Sequence, residues 1–146
     1  MSAILEKRKS RAAALQVLYE VDLTHHDVKI ALWHLCGATE ISTESAQKAG
    51  EMASGTLANL KKIDKQIVLY APQWPVDQLS PIDRNILRLS IYEIKYCLDG
   101  APLKVVINEA VELAKAFGAD SSSRFINGVL SSVAKNVELS VKKRVV

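Results

Sequence analysis

Apolar positions along this chain recur every three or four residues, and no stretch keeps up a strict apolar–polar alternation. The pattern therefore predicts helices and no sheet. In the first helix, expected over 6–23, Ala14, Leu18 and Val21 share a face with Leu15. A second helix is expected over 28–35, and a long helical region over 42–70 with its weakest point near Gly55. Ser42 fits an N-cap, but the third residue after it is Ser45, not an acid, so no capping box is expected there. Pro72, Trp74 and Pro75 then interrupt the pattern.

The clearest helix start is Ser80-Pro81-Ile82-Asp83: serine at the cap, proline at the first helical position and an acid at the third. That helix is expected to run to about residue 98. Ile86, Leu87, Leu89, Ile91, Ile94, Cys97 and Leu98 make it apolar around most of its circumference, as for a central, buried element. Asp99-Gly100 should end it and Pro102 open the next. Over 104–117, Val106, Ala110, Leu113, Ala114 and Phe117 form one stripe, opposite Asn108, Glu112 and Lys115. Gly118 reads as a left-handed C-cap. The last helix should open within 120–123 and run to about Val137, with Phe125, Val129, Val133 and Val137 on its buried face. The expected fold is an all-α bundle of about seven helices. It would be one domain of two helical halves, about 1–76 and 77–140, divided near 74–80, with a basic tail at 141–146.

Composition agrees with packed helices: of 146 residues, 49% are hydrophobic but only 5% aromatic, so aliphatic side chains must fill the core. No apolar run approaches the roughly 20 residues that span a bilayer, and the N-terminus lacks the apolar stretch of a secretory signal. Cys36 and Cys97 stand alone, without a CxxC pair or sequence-clustered histidines. This argues for a reducing, cytoplasmic setting, with no metal or cofactor expected. Trp33 and Trp74 read as packing anchors, and His34 has no ligand partner near it in sequence. No triad spacing, P-loop or dinucleotide fingerprint is present, so an enzyme is not expected. Glu109 reads as a packing-edge residue.

Charge changes the picture. The net charge of +3 is concentrated at the ends: Lys7, Arg8, Lys9 and Arg11 against Glu6, and Lys135, Lys142, Lys143 and Arg144 against Glu138. The body between is mildly acidic. Positive ends on such a body suit local contact with a polyanion. The N-terminal cluster runs directly into a helix, where cations oppose the helix dipole without structural benefit. Such a segment can grip phosphates at several points, although many solvated helices begin this way. A second candidate is the turn 118–125, where serines and a helix start could hold an anion, Arg124 adds charge and Phe125 could stack on an unpaired base. Its bland alternative is a serine cap followed by a core phenylalanine.

The segment INEAVELAKAFG followed by RFINGVL, and the N-terminal KRKSRAAALQVLYE, resemble the signature regions of the NusB family of bacterial transcription antitermination factors. The resemblance spans both ends and is weakest over about 24–76. It implies a two-part helical fold and binding of single-stranded boxA-like leader RNA. Lys7, Arg8 and Arg11 match the family's basic motif, with Lys9 inside it, and Tyr19 matches an aromatic at the end of that helix. Arg124 and Phe125 match the basic and aromatic positions of a K/R-F-x-N-G segment. Ser121 stands where some relatives have Asp. The resemblance further implies pairing with the small-subunit ribosomal protein NusE, through a surface in which Asp83 and Arg84 match acidic and basic positions. It implies joint loading onto elongating RNA polymerase to resist termination in ribosomal RNA operons, and it is compatible with a homodimer. Two other readings stand beside it: an RNA-binding accessory domain of an rRNA methyltransferase, and a helical protein-binding adaptor without RNA activity.

Overall fold

The computed structural model describes residues 3–97 and 100–145, with side chains up to residue 139. Among the described residues there are seven α-helices and no strand: α1 (Ala3–Thr24), α2 (Val28–Ala38), α3 (Thr43–Ala58), α4 (Leu60–Tyr70), α5 (Pro81–Tyr96), α6 (Leu103–Phe117) and α7 (Ser122–Val145), with a 3₁₀ turn at Val76–Gln78. The all-α fold is as expected. The division differs: the chain separates into compact units at Met1–Asn59 and Leu60–Val146, not near 74–80. The reason is that Ile63 and Ile67 give α4 a buried face that packs on α5 and α7, so α4 belongs with the C-terminal helices. The helical region also breaks at Asn59, not Gly55. The Asn59 side chain donates to the Gly55 carbonyl at 2.8 Å, closing α3 with a local bond that competes with continued helix.

In the first unit α1 packs on α3 and α2, and α2 packs on α3. The buried positions of this unit are mostly small or polar: Ser10, Ala13, Ala14, Ala31, Ser45, Ala49, Ala53 and Thr56, joined by Leu15, Val17, Leu18 and Leu35. Ser42 caps α3, accepting from the Ser45 amide at 3.0 Å, and Asp27 caps α2, accepting from the Ile30 amide at 3.0 Å. His25, at φ 61°, turns the chain between α1 and α2 in the left-handed region. Two of the three histidines meet, although His34 has no ligand partner near it in sequence. His26 and His34 both place Nδ1 on the Glu20 carboxylate, and these hydrogen bonds hold its carboxyl below the usual carboxylate range.

The second unit is built on α5, which packs on α4, α6 and α7. Ile86, Leu87, Leu89 and Ile91 of α5 are fully buried, as its all-round apolar pattern requires. Ile126, Leu130 and Val133 supply the α7 face. α5 ends at Tyr96, and the expected contribution of Leu98 and Asp99 lies outside the described residues. The core also holds an ion pair that periodicity does not reveal. Arg88 donates through Nε and Nη2 to the two Asp64 oxygens at 2.9 and 3.0 Å, tying α5 to α4.

Three local expectations are corrected. Phe117 is 43% exposed and does not complete the buried stripe of α6, because it is the helix's last residue, beyond the core contacts of Leu113 and Ala114. Gly118 is extended (φ −95°, ψ −175°), not left-handed. Glycine is needed there for space: a Cβ would lie 2.7 Å from the Ser122 side chain and 2.8 Å from the Ala114 carbonyl. Finally, α7 continues past Val137 to Val145, since no glycine or proline follows Gly128 to stop it. The side chains of the basic tail, 141–146, lie outside the described residues.

Candidate nucleic-acid interface

α1 begins at Ala3, so Lys7 to Arg11 occupy its second and third turns instead of its first. The dipole conflict read from sequence thus largely disappears, since that field fades beyond the first turn. Lys7, Arg8 and Lys9 are exposed. The neighbouring acid is directed elsewhere: the Glu6 carboxylate accepts from Ser42 Oγ at 3.2 Å and from Ser45 Oγ, beside the N-terminus of α3. The Ser45 hydrogen bond is the leading cause that holds the Glu6 carboxyl below its ordinary value, with help from Ser42 and Lys9. A basic surface results whose own acid is occupied by a helix cap.

Arg11 differs from the other three cations, being only 8% exposed. It lies one helical turn before Ala14 and Leu15, both buried, and so falls on the packed face of α1. That signal was present in the sequence spacing. Tyr19 stands exposed further along the same helix. Twelve residues separate it from Lys7, about 18 Å of helix rise.

In the second unit the turn 118–125 gives two of its three serines different roles. Ser122 is buried and accepts from the Ala119 amide at 3.0 Å, so it closes the turn. Ser121 is exposed, and its carbonyl accepts from the Phe125 amide at 3.2 Å. Arg124 is exposed and Phe125 half-buried. These two side chains line an open groove of about 350 Å³ together with Tyr70, Pro72, Trp74 and Val129. Phe125 is therefore neither wholly core nor isolated; it is one wall of an aromatic groove. Trp74, read as a packing anchor, is 54% exposed and forms part of this groove. Trp33 is likewise no anchor, at 75% exposure. The signal for Trp74 lay in its flanking prolines, which bar it from helix and set it on a surface loop.

Asp83 and Arg84 open α5. Ser80 Oγ accepts from the Asp83 amide at 3.1 Å, the first half of the expected capping box. Asp83 Oδ1 is buried without a hydrogen-bond partner among the described residues. Arg84 reaches back to the Asp77 and Leu79 carbonyls at 3.4 and 3.5 Å, bracing the loop before the helix.

A model of the NusB family matches residues 8–135, running through both units. The chain belongs to the NusB family. It is 47% identical to the transcription antitermination protein NusB of Dehalococcoides mccartyi, over 94% of this chain and 96% of that protein. Its fold is that of NusB from T. maritima, with a TM-score of 0.80 at 31% identity, covering 88% of this chain and 90% of that one. A crystal structure of antitermination factors NusB and NusE in complex with double-stranded RNA has the same fold at 23% identity, with a TM-score of 0.80 over 91% of this chain and 98% of that one. NusB membership agrees with the absence of strands among the described residues.

Proposed function

We propose that this chain is a transcription antitermination factor that binds a boxA-like, single-stranded leader RNA together with NusE. With them it joins elongating RNA polymerase and helps it resist termination in ribosomal RNA operons. The observation that supports this reading most strongly is the near-full-length likeness to an antitermination NusB at 47% identity. The chain acts as a binding protein and not as an enzyme, working in the cytoplasm; no helix among the described residues is long and apolar enough to cross a membrane. Its two units serve one NusB-like domain, in keeping with a family match that continues through both.

Lys7, Arg8 and Lys9 supply phosphate contacts, and Tyr19 a further contact along α1. Arg11, being buried, orients the helix as well as adding positive potential. Arg124 and Phe125 hold an unpaired base, with Trp74 as a second stacking surface and Ser121 as a polar contact. Asp83 and Arg84, at the start of α5, contribute to the surface that meets NusE. Neither RNA nor protein contact needs to be tight alone, since joining them raises effective concentration.

The test is fluorescence anisotropy of a labelled boxA-like RNA against a scrambled RNA, each with and without NusE from the same source. Selective binding that NusE strengthens is expected. Binding indifferent to sequence and to NusE would reduce the assignment to a basic helical protein.

A further inference from the structure

Glu20 on α1, His26 in the connection to α2 and His34 on α2 are 6 and 14 residues apart from Glu20 in sequence, yet they converge in the first unit. Glu20 Oε2 lies 3.0 Å from His26 Nδ1 and 2.8 Å from His34 Nδ1, and the three donor atoms lie within 4.8 Å of one another. Both imidazoles turn the same nitrogen toward the same oxygen. The chain has only three histidines, and two of them are here.

The convergence is built by the backbone. Thr24 Oγ1 donates to the Glu20 carbonyl at 2.6 Å and accepts from the His26 amide at 3.2 Å. The left-handed residue His25 then reverses the chain, and Asp27 starts α2. A non-glycine residue at positive φ carries backbone strain, which the surrounding structure must offset. The Trp33 ring lies 5.5 Å from that of His34, tilted 58° to it.

Two imidazole nitrogens and a carboxylate oxygen are the donor set of a first-row divalent transition ion, not of calcium or magnesium, which prefer oxygen. At bond lengths of about 2.0–2.2 Å, tetrahedral donors stand about 3.3 Å apart. The observed separations need only small side-chain rotations to match this, and both rings are near the surface. We propose that Glu20, His26 and His34 form a metal site for a divalent transition ion such as zinc, with water in the fourth position. Each ring would bind as the neutral tautomer that carries its proton on Nε2, leaving the Nδ1 lone pair for the ion. The ion would join α1 to α2 and so brace the helix that carries Lys7, Arg8 and Lys9.

Isothermal titration of the full chain with zinc chloride tests this, with magnesium chloride as the hard-ion control. One zinc per chain is expected and no magnesium binding. Glu20→Gln and His34→Gln should each weaken zinc binding at least about tenfold, and zinc should raise the unfolding temperature of the wild type but not of these variants. His25→Gln and Cys36→Ser remove a neighbouring imidazole and a neighbouring thiol and should leave binding unchanged. Loss of binding in Cys36→Ser would overturn the proposal, as would zinc affinity that persists in His34→Gln. Absence of any zinc binding by the wild type would show Glu20 to be only a hydrogen-bonded clasp. Circular dichroism of each variant separates lost binding from lost fold.

Discussion

The first unit exposes its candidate contacts as charge: Lys7, Arg8 and Lys9 stand on one stretch of α1, while Glu6, the only acid between residues 3 and 11, is bound to Ser42 and Ser45. The second unit exposes its contacts as aromatic surface, with Phe125 and Trp74 around a groove edged by Arg124. Their interiors differ in parallel. Small and polar residues such as Ser10, Ala14, Ser45, Ala49 and Ala53 let the helices of the first unit approach closely, whereas Ile86, Leu87, Ile91, Ile126 and Leu130 fill the second. The first unit thus depends more on polar caps and the second on apolar area. For RNA the difference separates two jobs. Charge supplies affinity that salt erodes and that ignores sequence, while stacking in a shaped groove supplies contacts that salt barely touches.

The sharpest way to break this division is to compare salt dependence after removing each chemistry. Replacing Lys7, Arg8 and Lys9 together by alanine should weaken RNA binding about a hundredfold at low salt. It should also flatten the slope of log affinity against log salt by about 2, from roughly 0.7 per phosphate contact on a single strand. All three side chains are exposed, so the melting temperature should hold. Arg11 is the wrong probe for this purpose: Arg11→Ala alters a packed position, and lost affinity would be confounded with lost structure.

Phe125→Ala should come next, costing about 1–3 kcal/mol of RNA binding with the salt slope unchanged. Trp74→Ala should do the same if both rings stack on bases. A slope that changes in Phe125→Ala, or an affinity that does not, would end the assignment of stacking to the second unit. Each is read by titrating labelled RNA across a salt series.

How much of this was legible beforehand follows the physics of each feature. Helix existence and the buried α5 follow from periodicity, and the Ser80 cap from local hydrogen-bonding chemistry, both carried by near neighbours in sequence. The basic stretch was visible as composition, and the burial of Arg11 was readable from its spacing to Leu15. The break falls at Asn59 and not near Gly55 because the asparagine side chain reaches back to the Gly55 carbonyl, a contact that propensity does not reveal. What depends on distant partners stayed hidden: Asp64 with Arg88, Glu6 with Ser45, Glu20 with both histidines, and Trp74 beside Phe125. Nothing local in the chain marks those pairs, because folding alone sets them side by side.

The ion pair in the second unit gives an internal control of stability apart from RNA. Asp64→Ala takes the carboxylate from an Arg88 side chain that is nearly buried, and breaking such a pair costs several kcal/mol when both groups are fully desolvated. Asp64 is partly solvated, so the expected loss is smaller, about 2 kcal/mol, or roughly 6 °C in unfolding temperature. Thermal melts check this. RNA affinity below the transition should be unchanged, and a parallel loss of binding would mean that the aromatic groove is more tightly linked to the α4–α5 contact than its lining suggests.

The smallest effect concerns pH and belongs to the first unit. Glu6 has its carboxyl held below the ordinary value, chiefly by Ser45. A carboxylate with a lowered folded-state value binds protons less readily when folded than when unfolded, so its contribution to stability is fully present above the unfolded value. It fades as pH falls through the folded one. Acidification below the usual carboxylate range should therefore loosen the α1–α3 contact, and hydrogen exchange should rise in peptides from 3–24 and 43–58 before those from 81–96. Glu6→Gln should weaken this pH dependence, leaving the part that belongs to Glu20 on the same helix, while RNA binding stays unchanged or slightly stronger, since a negative charge beside Lys7 is deleted. Exchange that rises equally in both units, or a Glu6→Gln protein with the wild-type pH profile, would place the acid sensitivity elsewhere. The contrast between a first unit held by polar caps and a second held by apolar area would then lose its basis.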